Sequence, residues 1–113
     1  MNKYHNRKTE VDGIVFDSKR EAERYRQLLF MSKVGMIEDL KRQVKYCLIP
    51  TIESKEWKVR YRAVYYIADF TYYEKDGDDW TLVVEDVKGV KTDVYKLKKK
   101  LMLWRYGIEI REV

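Results

Sequence analysis

The chain has 113 residues, enough for one folded domain and too few for two. Its composition, 45% hydrophobic with ten Tyr and three Trp, excludes a disordered chain, and no apolar run reaches the ~18 residues of a membrane span. A single cysteine, Cys47, excludes an internal disulfide and a cysteine-rich zinc site, so we expect a cytoplasmic protein with no membrane partner.

The net charge of +5 favours a polyanionic partner, and the distribution of charge is more specific than its total. Residues 88–100 contain six lysines and one acidic residue, whereas residues 74–86 are acidic. Basic flanks around an acidic centre suit a site that holds cations and binds a phosphate backbone.

In chain order, residues 1–12 are polar and predict a frayed or edge segment, and residues 14–16 predict a short strand. Ser18 and Glu21 form a capping box that predicts the start of a helix, and Gly35 predicts its end. The helix has an apolar stripe, formed by Ala22, Tyr25, Leu28, Leu29, Phe30 and Val34.

After Gly35 the apolar residues alternate, which is typical of strands. Residues 44–49 predict one strand, and residues 59–73 predict a long strand after a polar turn. On the long strand we expect one apolar face, which Asp69 ends, made of Tyr61, Ala63, Tyr65 and Ile67.

A hairpin turn at 75–79 leads to a strand over residues 80–88, whose apolar character on both faces predicts a central place in the sheet. Thr92 or Asp93 then caps a second helix, Gly107 ends it, and residues 108–113 predict a last strand. The inward face of this helix is expected to consist of Val94, Leu97, Leu101 and Trp104.

The predicted order is therefore helix, three strands, helix, strand, in a single α/β domain over residues 1–113 around a mixed central sheet. The last strand–helix–strand connection predicts a right-handed crossover to a parallel strand.

Two carboxylates are expected to meet on this sheet. If Gly77 and Asp78 form the hairpin loop, Asp69 falls opposite Asp86, and like charges in that arrangement destabilise a sheet. A bound Mg²⁺ or Mn²⁺ would remove the cost, and Lys88 follows Asp86 on the same face. Alternatively, both Asp residues are solvated strand ends and Lys88 is only an ion-pair partner.

Two segments resemble the signature of the PD-(D/E)XK nuclease superfamily: Ile-Ala-Asp-Phe at 67–70 and Glu-Asp-Val-Lys-Gly at 85–89. Ala68 stands where that signature often has Pro. The superfamily's core order matches the predicted one, so the resemblance implies a restriction-endonuclease-like core. Residues 16–23 resemble the first core helix of short phage-borne members, a type that resembles Holliday-junction resolvases and transposon end-cleaving endonucleases.

The resemblance implies a metal-dependent endonuclease that hydrolyses DNA, in a bacterial host cell and encoded by a phage or prophage. Asp69, Asp86 and Glu21, with the Val87 carbonyl, would hold one or two Mg²⁺ or Mn²⁺ ions, and Lys88 would orient the attacking water or stabilise the developing charge. The capping box offers Glu21 a competing role.

Phosphate contacts are expected from the basic face of the second helix and from the segment before it, and a phosphate or metal-water contact is expected from the residue that precedes the strand over 44–49. These candidates are Lys91, Lys96, Lys99, Lys100 and Gln43. A branched-DNA substrate, such as a Holliday junction, implies a homodimer. A chain this small has little surface left to read a DNA sequence, which favours recognition of DNA structure or a protein partner that supplies specificity. The alternatives are a non-cleaving nucleic-acid-binding module of the same fold, and a structural protein whose carboxylates only tune stability.

Overall fold

A computed structural model describes residues 8–113, so part of the predicted polar segment at the N-terminus lies outside the described residues. The chain forms two compact units. Within the described part, the first comprises residues 8–41 and 71–83, and the second comprises residues 42–70 and 84–113.

The first unit contains a hairpin and the first helix. Strand β1 (Thr9–Val11) pairs antiparallel with β2 (Ile14–Phe16), and both contact α1 (Lys19–Lys33). Ser18 caps the helix by accepting a hydrogen bond from the Glu21 N–H at 3.1 Å, as the capping box predicted. The helix ends before Gly35, whose φ of 78° is the left-handed conformation that favours glycine there.

The central sheet has four strands in the order β3-β6-β7-β8. Its members are β3 (Ile37–Ile49), β6 (Val64–Asp76), β7 (Asp79–Asp86) and β8 (Arg111–Glu112). Strand β7 is internal, as its apolar sequence predicted, and β8 lies parallel to it after α2 (Asp93–Tyr106). The α/β architecture with a mixed sheet is therefore confirmed.

The prediction of one long strand over residues 59–73 is wrong. Residues 59–61 instead form β5 (Val59–Tyr61), which pairs with β4 (Ile52–Ser54) in a separate two-stranded sheet, and β6 begins only at Val64. The reason is local, because the polar turn between β4 and β5 lets these residues pair with their nearest neighbours in sequence. The strand predicted over residues 44–49 is also longer than expected, since β3 begins at Ile37.

The predicted inward face of β6 is wrong as well. Tyr65 and Ile67 are exposed, and the buried residues are Tyr66, Ala68, Phe70 and Tyr72. Both faces of this strand are apolar in sequence, so hydropathy alone does not identify the covered face. In the second unit, Tyr66 and Ala68 pack in a core that also contains Leu48, Val84, Tyr95, Met102 and Ile110.

Helix α2 is capped by Thr92 and ended by Gly107, as predicted. Its inward face is not the predicted one, since Val94, Leu97 and Trp104 are exposed. Tyr95 and Met102 are its buried residues. They lie seven residues apart on one side of the helix, where Tyr95 can bury its ring and still reach a polar partner with its hydroxyl.

Within residues 8–113, neither helix combines the length and the apolar character that crossing a lipid bilayer requires.

Candidate functional site

Asp69 lies beside the Asp-x-Lys segment, and its predicted place directly opposite Asp86 stays a prediction. Strands β6 and β7 are joined by the predicted two-residue loop, Gly77-Asp78. The Asp69 Oδ2 accepts a hydrogen bond of 2.8 Å from the Val87 N–H. This bond ties the Asp69 carboxylate to the residue that directly follows Asp86.

Asp86, the last residue of β7, is 2% exposed, and its two carboxylate oxygens have different environments. Oδ2 accepts a hydrogen bond of 2.6 Å from the Tyr66 hydroxyl. Oδ1 lies 3.2 Å from the Lys88 Nζ, which makes an ion pair, but it accepts no hydrogen bond from any described residue. Burying a carboxylate costs free energy, and here the Tyr66 phenol and the Lys88 ammonium offset that cost.

Tyr66 is a member of this site that the sequence analysis missed. Burial and, secondly, its hydrogen bond to Asp86 raise the pKa of Tyr66 well above the ordinary tyrosine value. The phenol donates this hydrogen bond, and its burial favours the neutral, protonated form. The available sequence signal was that a buried Tyr needs a polar partner, but it required knowing which face of β6 is covered.

Lys88 lies two residues beyond the end of β7, not within the strand as predicted. Its Nζ is 4.5 Å from the centre of the Tyr95 ring, so the ammonium contacts both a carboxylate and an aromatic face. The main chain on either side is fixed as well, because the Val113 N–H donates to the Asp86 carbonyl oxygen at 3.0 Å. The arrangement holds Lys88 close to Asp86.

Two of the predicted phosphate-binding lysines are engaged by Glu112 of β8. Its Oε1 lies 3.1 Å from the Nζ of both Lys91 and Lys99, and its Oε2 accepts a 2.8 Å hydrogen bond from the Tyr95 hydroxyl. The Tyr95 bond, and next the two lysines, lower the pKa of Glu112 to about 2. Burial and the same hydrogen bond raise the pKa of Tyr95.

The other two predicted lysines of α2 are more accessible. Lys96 and Lys100 are exposed, and neither has an ion pair with a residue in the described part of the chain. Gln43, also a predicted contact, lies on β3 with its Nε2 3.5 Å from the Asp69 Oδ1. Its φ of 52° is the left-handed conformation, which is uncommon for a residue other than glycine.

The chemistry of these donors fits a divalent cation. Asp69 accepts hydrogen bonds from two neutral donors, the Val87 N–H and the Gln43 side-chain amide, and Asp86 accepts one from Tyr66, as the carboxylates that bind metals usually do. The buried Asp86 Oδ1 accepts none from a described residue, and a cation would stabilise it. Within residues 8–113 no three His, Cys, Asp or Glu side chains form a ready group of ligands, and Mg²⁺ commonly keeps several waters beside one or two carboxylates.

Glu21 and Val87 were the other predicted ligands. Glu21 is half-buried in the first turn of α1, where its N–H donates to Ser18. Val87 directly follows β7, and its N–H is the donor to Asp69. That the Glu21 carboxylate and the Val87 carbonyl bind the metal stays a prediction.

Comparison with known proteins gives a family without an assigned activity. No curated protein and no solved structure matches the chain. A family model described as a protein of unknown function matches residues 1–112, and the chain therefore belongs to that family, DUF1064.

Proposed function

We propose that this protein is a metal-dependent endonuclease of the PD-(D/E)XK superfamily, with a restriction-endonuclease-like core, that hydrolyses DNA. The observation that carries the proposal is the buried Asp86 carboxylate, which has one oxygen fixed by Tyr66 and the other without a hydrogen bond from a described residue. A negative oxygen in that position is costly, and a divalent cation would stabilise it.

Each residue of the site has a defined part in this reaction. Asp69 and Asp86, with Glu21 and the Val87 carbonyl as further predicted ligands, would hold Mg²⁺ or Mn²⁺. When bound, such an ion supplies a Lewis acid and a more acidic water for attack on the phosphodiester. Lys88, placed 3.2 Å from Asp86, would stabilise the charge that develops on the phosphate.

The proposed DNA contacts are made by the accessible lysines of α2. Lys96 and Lys100 are exposed cations on α2, whereas Lys91 and Lys99 reach a phosphate only by sharing or leaving Glu112. Branched DNA such as a Holliday junction, in phage recombination or packaging, is the proposed substrate. Cutting two strands of a junction requires two sites, so we propose a homodimer, which sedimentation of the purified protein would test.

The test of the activity uses linear, nicked, flapped and four-way DNA, each with Mg²⁺, Mn²⁺ or EDTA. We expect cutting with either metal, none with EDTA, and a loss of at least about 100-fold for Asp86→Asn, since ligand and transition-state contacts of this kind are worth several kcal/mol. Asp78→Asn, in the exposed hairpin loop, is the matched control and should cut like the wild type. Cutting that survives Asp86→Asn unchanged would overturn the assignment of the site.

Metal binding has an independent readout in thermal stability. Mg²⁺ or Mn²⁺ should raise the melting temperature of the wild type, because an ion that binds only the folded protein stabilises it. Asp69→Ala should remove that response. An equal response in both proteins would contradict the role of Asp69 as a ligand.

A second candidate is a DNA-binding module that does not cut. The Asp86–Lys88 ion pair favours it, because a neutralised carboxylate needs no metal, and the exposed lysines of α2 would still bind phosphates. DNA binding without cutting, together with a melting temperature that metal does not change, would identify this function instead.

A further inference from the structure

A pocket of about 280 Å³ opens beside Asp86, between β6 and the first turn of α2. One part of its lining is aromatic or apolar and comes from Tyr65, Ile67 and Val94. Another part is charged and comes from Asp86, Lys88 and Lys98, and Tyr66, Thr92 and Tyr95 complete the lining. The pocket therefore joins the proposed catalytic carboxylate to an apolar surface.

The apolar part of the pocket is accessible to a ligand. Tyr65 is 39% exposed, Ile67 50% and Val94 63%, so the core covers none of them. Exposed apolar residues that are grouped and bordered by charge are typical of binding sites. The Nζ of Lys45 lies over one face of the Tyr65 ring, 4.1 Å from its centre, so a base would stack on the opposite face.

The charged part of the pocket lining favours an anionic ligand. Lys98 is half-buried and has no ion pair with a residue in the described part of the chain, so its ammonium is available to an anion. Flat apolar surface beside available ammonium groups is the combination that binds single-stranded nucleic acid, with the base on the aromatic ring and the phosphate on the cations.

We propose that this pocket binds one unpaired nucleotide of the DNA strand, with its base against Tyr65 and its phosphate near Lys98. A base within a continuous duplex has both of its faces stacked and cannot offer one to Tyr65, so the pocket selects single-stranded, gapped or branched DNA over intact duplex. Asp86 forms part of the same pocket, so cutting of the bound strand, the step that follows binding, rests on the proposed function.

The experiment measures binding in EDTA, so that no cutting takes place. The same fluorescent oligonucleotide is used as a single strand, as a full duplex, and as a duplex with one unpaired 2-aminopurine. We expect the single strand and the unpaired site to bind about tenfold more tightly than the duplex. Tyr65→Ala should remove most of this preference and the change in 2-aminopurine fluorescence, since stacking of one base contributes about five- to 150-fold.

Each variant has a matched control on the same element. Tyr73→Ala alters a β6 tyrosine that is equally exposed, at 39%, and does not line the pocket. Lys96→Gln, at a proposed phosphate contact on α2 outside the pocket, should weaken binding of all three DNAs alike, whereas Lys98→Gln should weaken binding of the single strand and the unpaired site most. Equal affinity for all three DNAs, or equal effects of Tyr65→Ala and Tyr73→Ala, would overturn the proposal.

The outcome is separable from that of the nuclease proposal. Tyr65-dependent preference for unpaired DNA without metal-dependent cutting would keep the pocket and remove the nuclease. Metal-dependent cutting of intact duplex with no effect of Tyr65→Ala would keep the nuclease and remove the pocket.

Discussion

Asp86 and Tyr66 form the most constrained residue pair of the candidate site. The 2.6 Å hydrogen bond joins two buried side chains, and the carboxylate has no other neutral donor among the described residues. Tyr66 lines the pocket beside Asp86, and its proposed role is to position Asp86 through this hydrogen bond. Removing the hydroxyl leaves a buried carboxylate oxygen of Asp86 without its donor. The cost is then the full desolvation penalty of that oxygen, which exceeds the net contribution of an ordinary hydrogen bond.

Tyr66→Phe should therefore lower the free energy of unfolding by about 1–3 kcal/mol and weaken metal binding by about ten- to 100-fold. Urea unfolding and titration with Mn²⁺ measure the two effects. Tyr65→Phe is the matched control, because Tyr65 is exposed and its hydroxyl has no hydrogen bond with a described residue. If both variants bind Mn²⁺ like the wild type, Tyr66 has only a structural role.

At the scale of elements, Glu112 connects β8 to α2 and to the segment before it. Its carboxylate accepts from Tyr95 and pairs with Lys91 and Lys99. Strand β8 has only two residues, and each of them pairs with one residue of β7. Two paired positions are few for a strand held only by its backbone hydrogen bonds. We infer that the Glu112 contacts contribute to holding this strand in place.

This contribution depends on pH in a defined direction. The pKa of Glu112 is lowered from 4.5 to about 2, so the unfolded chain binds the proton more readily than the folded one. The stabilisation is thus fully present above the ordinary pKa of 4.5 and is lost as the pH falls toward 2.

We expect Glu112→Gln to be less stable than the wild type at pH 7 and to differ less from it at pH 2. Urea unfolding at a series of pH values measures this difference. Glu53→Gln, on the short strand β4, is a control that should follow the wild type throughout. If the free energy of unfolding differs by the same amount between Glu112→Gln and the wild type from pH 7 to pH 2, the stabilisation does not come from the ionised Glu112 carboxylate.

At the scale of the whole molecule, the net charge of +5 does not show which lysines are available to bind DNA. Lys91 and Lys99 share one carboxylate, whereas Lys96 and Lys100 have no ion pair among the described residues. Binding of phosphates by free cations releases counterions from DNA, and lysines that are already paired contribute less to that release.

Lys100→Gln should therefore reduce the slope of log K against log salt by about 0.9, the value for one phosphate contact on duplex DNA. Its neighbour Lys99→Gln should reduce the slope by less, because Glu112 already holds Lys99. Binding of duplex DNA in EDTA at several salt concentrations measures both. An equal decrease in the two variants would show that Lys99 leaves Glu112 to bind phosphate.

The sequence by itself determined the features that depend on neighbouring residues. The Ser18 and Thr92 caps, the helix ends at Gly35 and Gly107, and the Gly77-Asp78 loop all follow from local hydrogen bonding and backbone conformation. The parallel placement of β8 also follows, since a strand–helix–strand connection favours it. The closeness of Asp69 to the Asp-x-Lys segment then results from the length of the hairpin.

Only the tertiary structure decided which faces are covered and which polar groups meet there. Strand β6 and helix α2 are apolar on more than one side, so the choice of Tyr66 over Tyr65, and of Tyr95 over Val94, depends on what packs against each face. That choice brings the Tyr66 hydroxyl to Asp86 and leaves Tyr65 exposed beside it. The sequence contained the two acidic residues and the lysine of the candidate site, and packing added the tyrosine that fixes one of them.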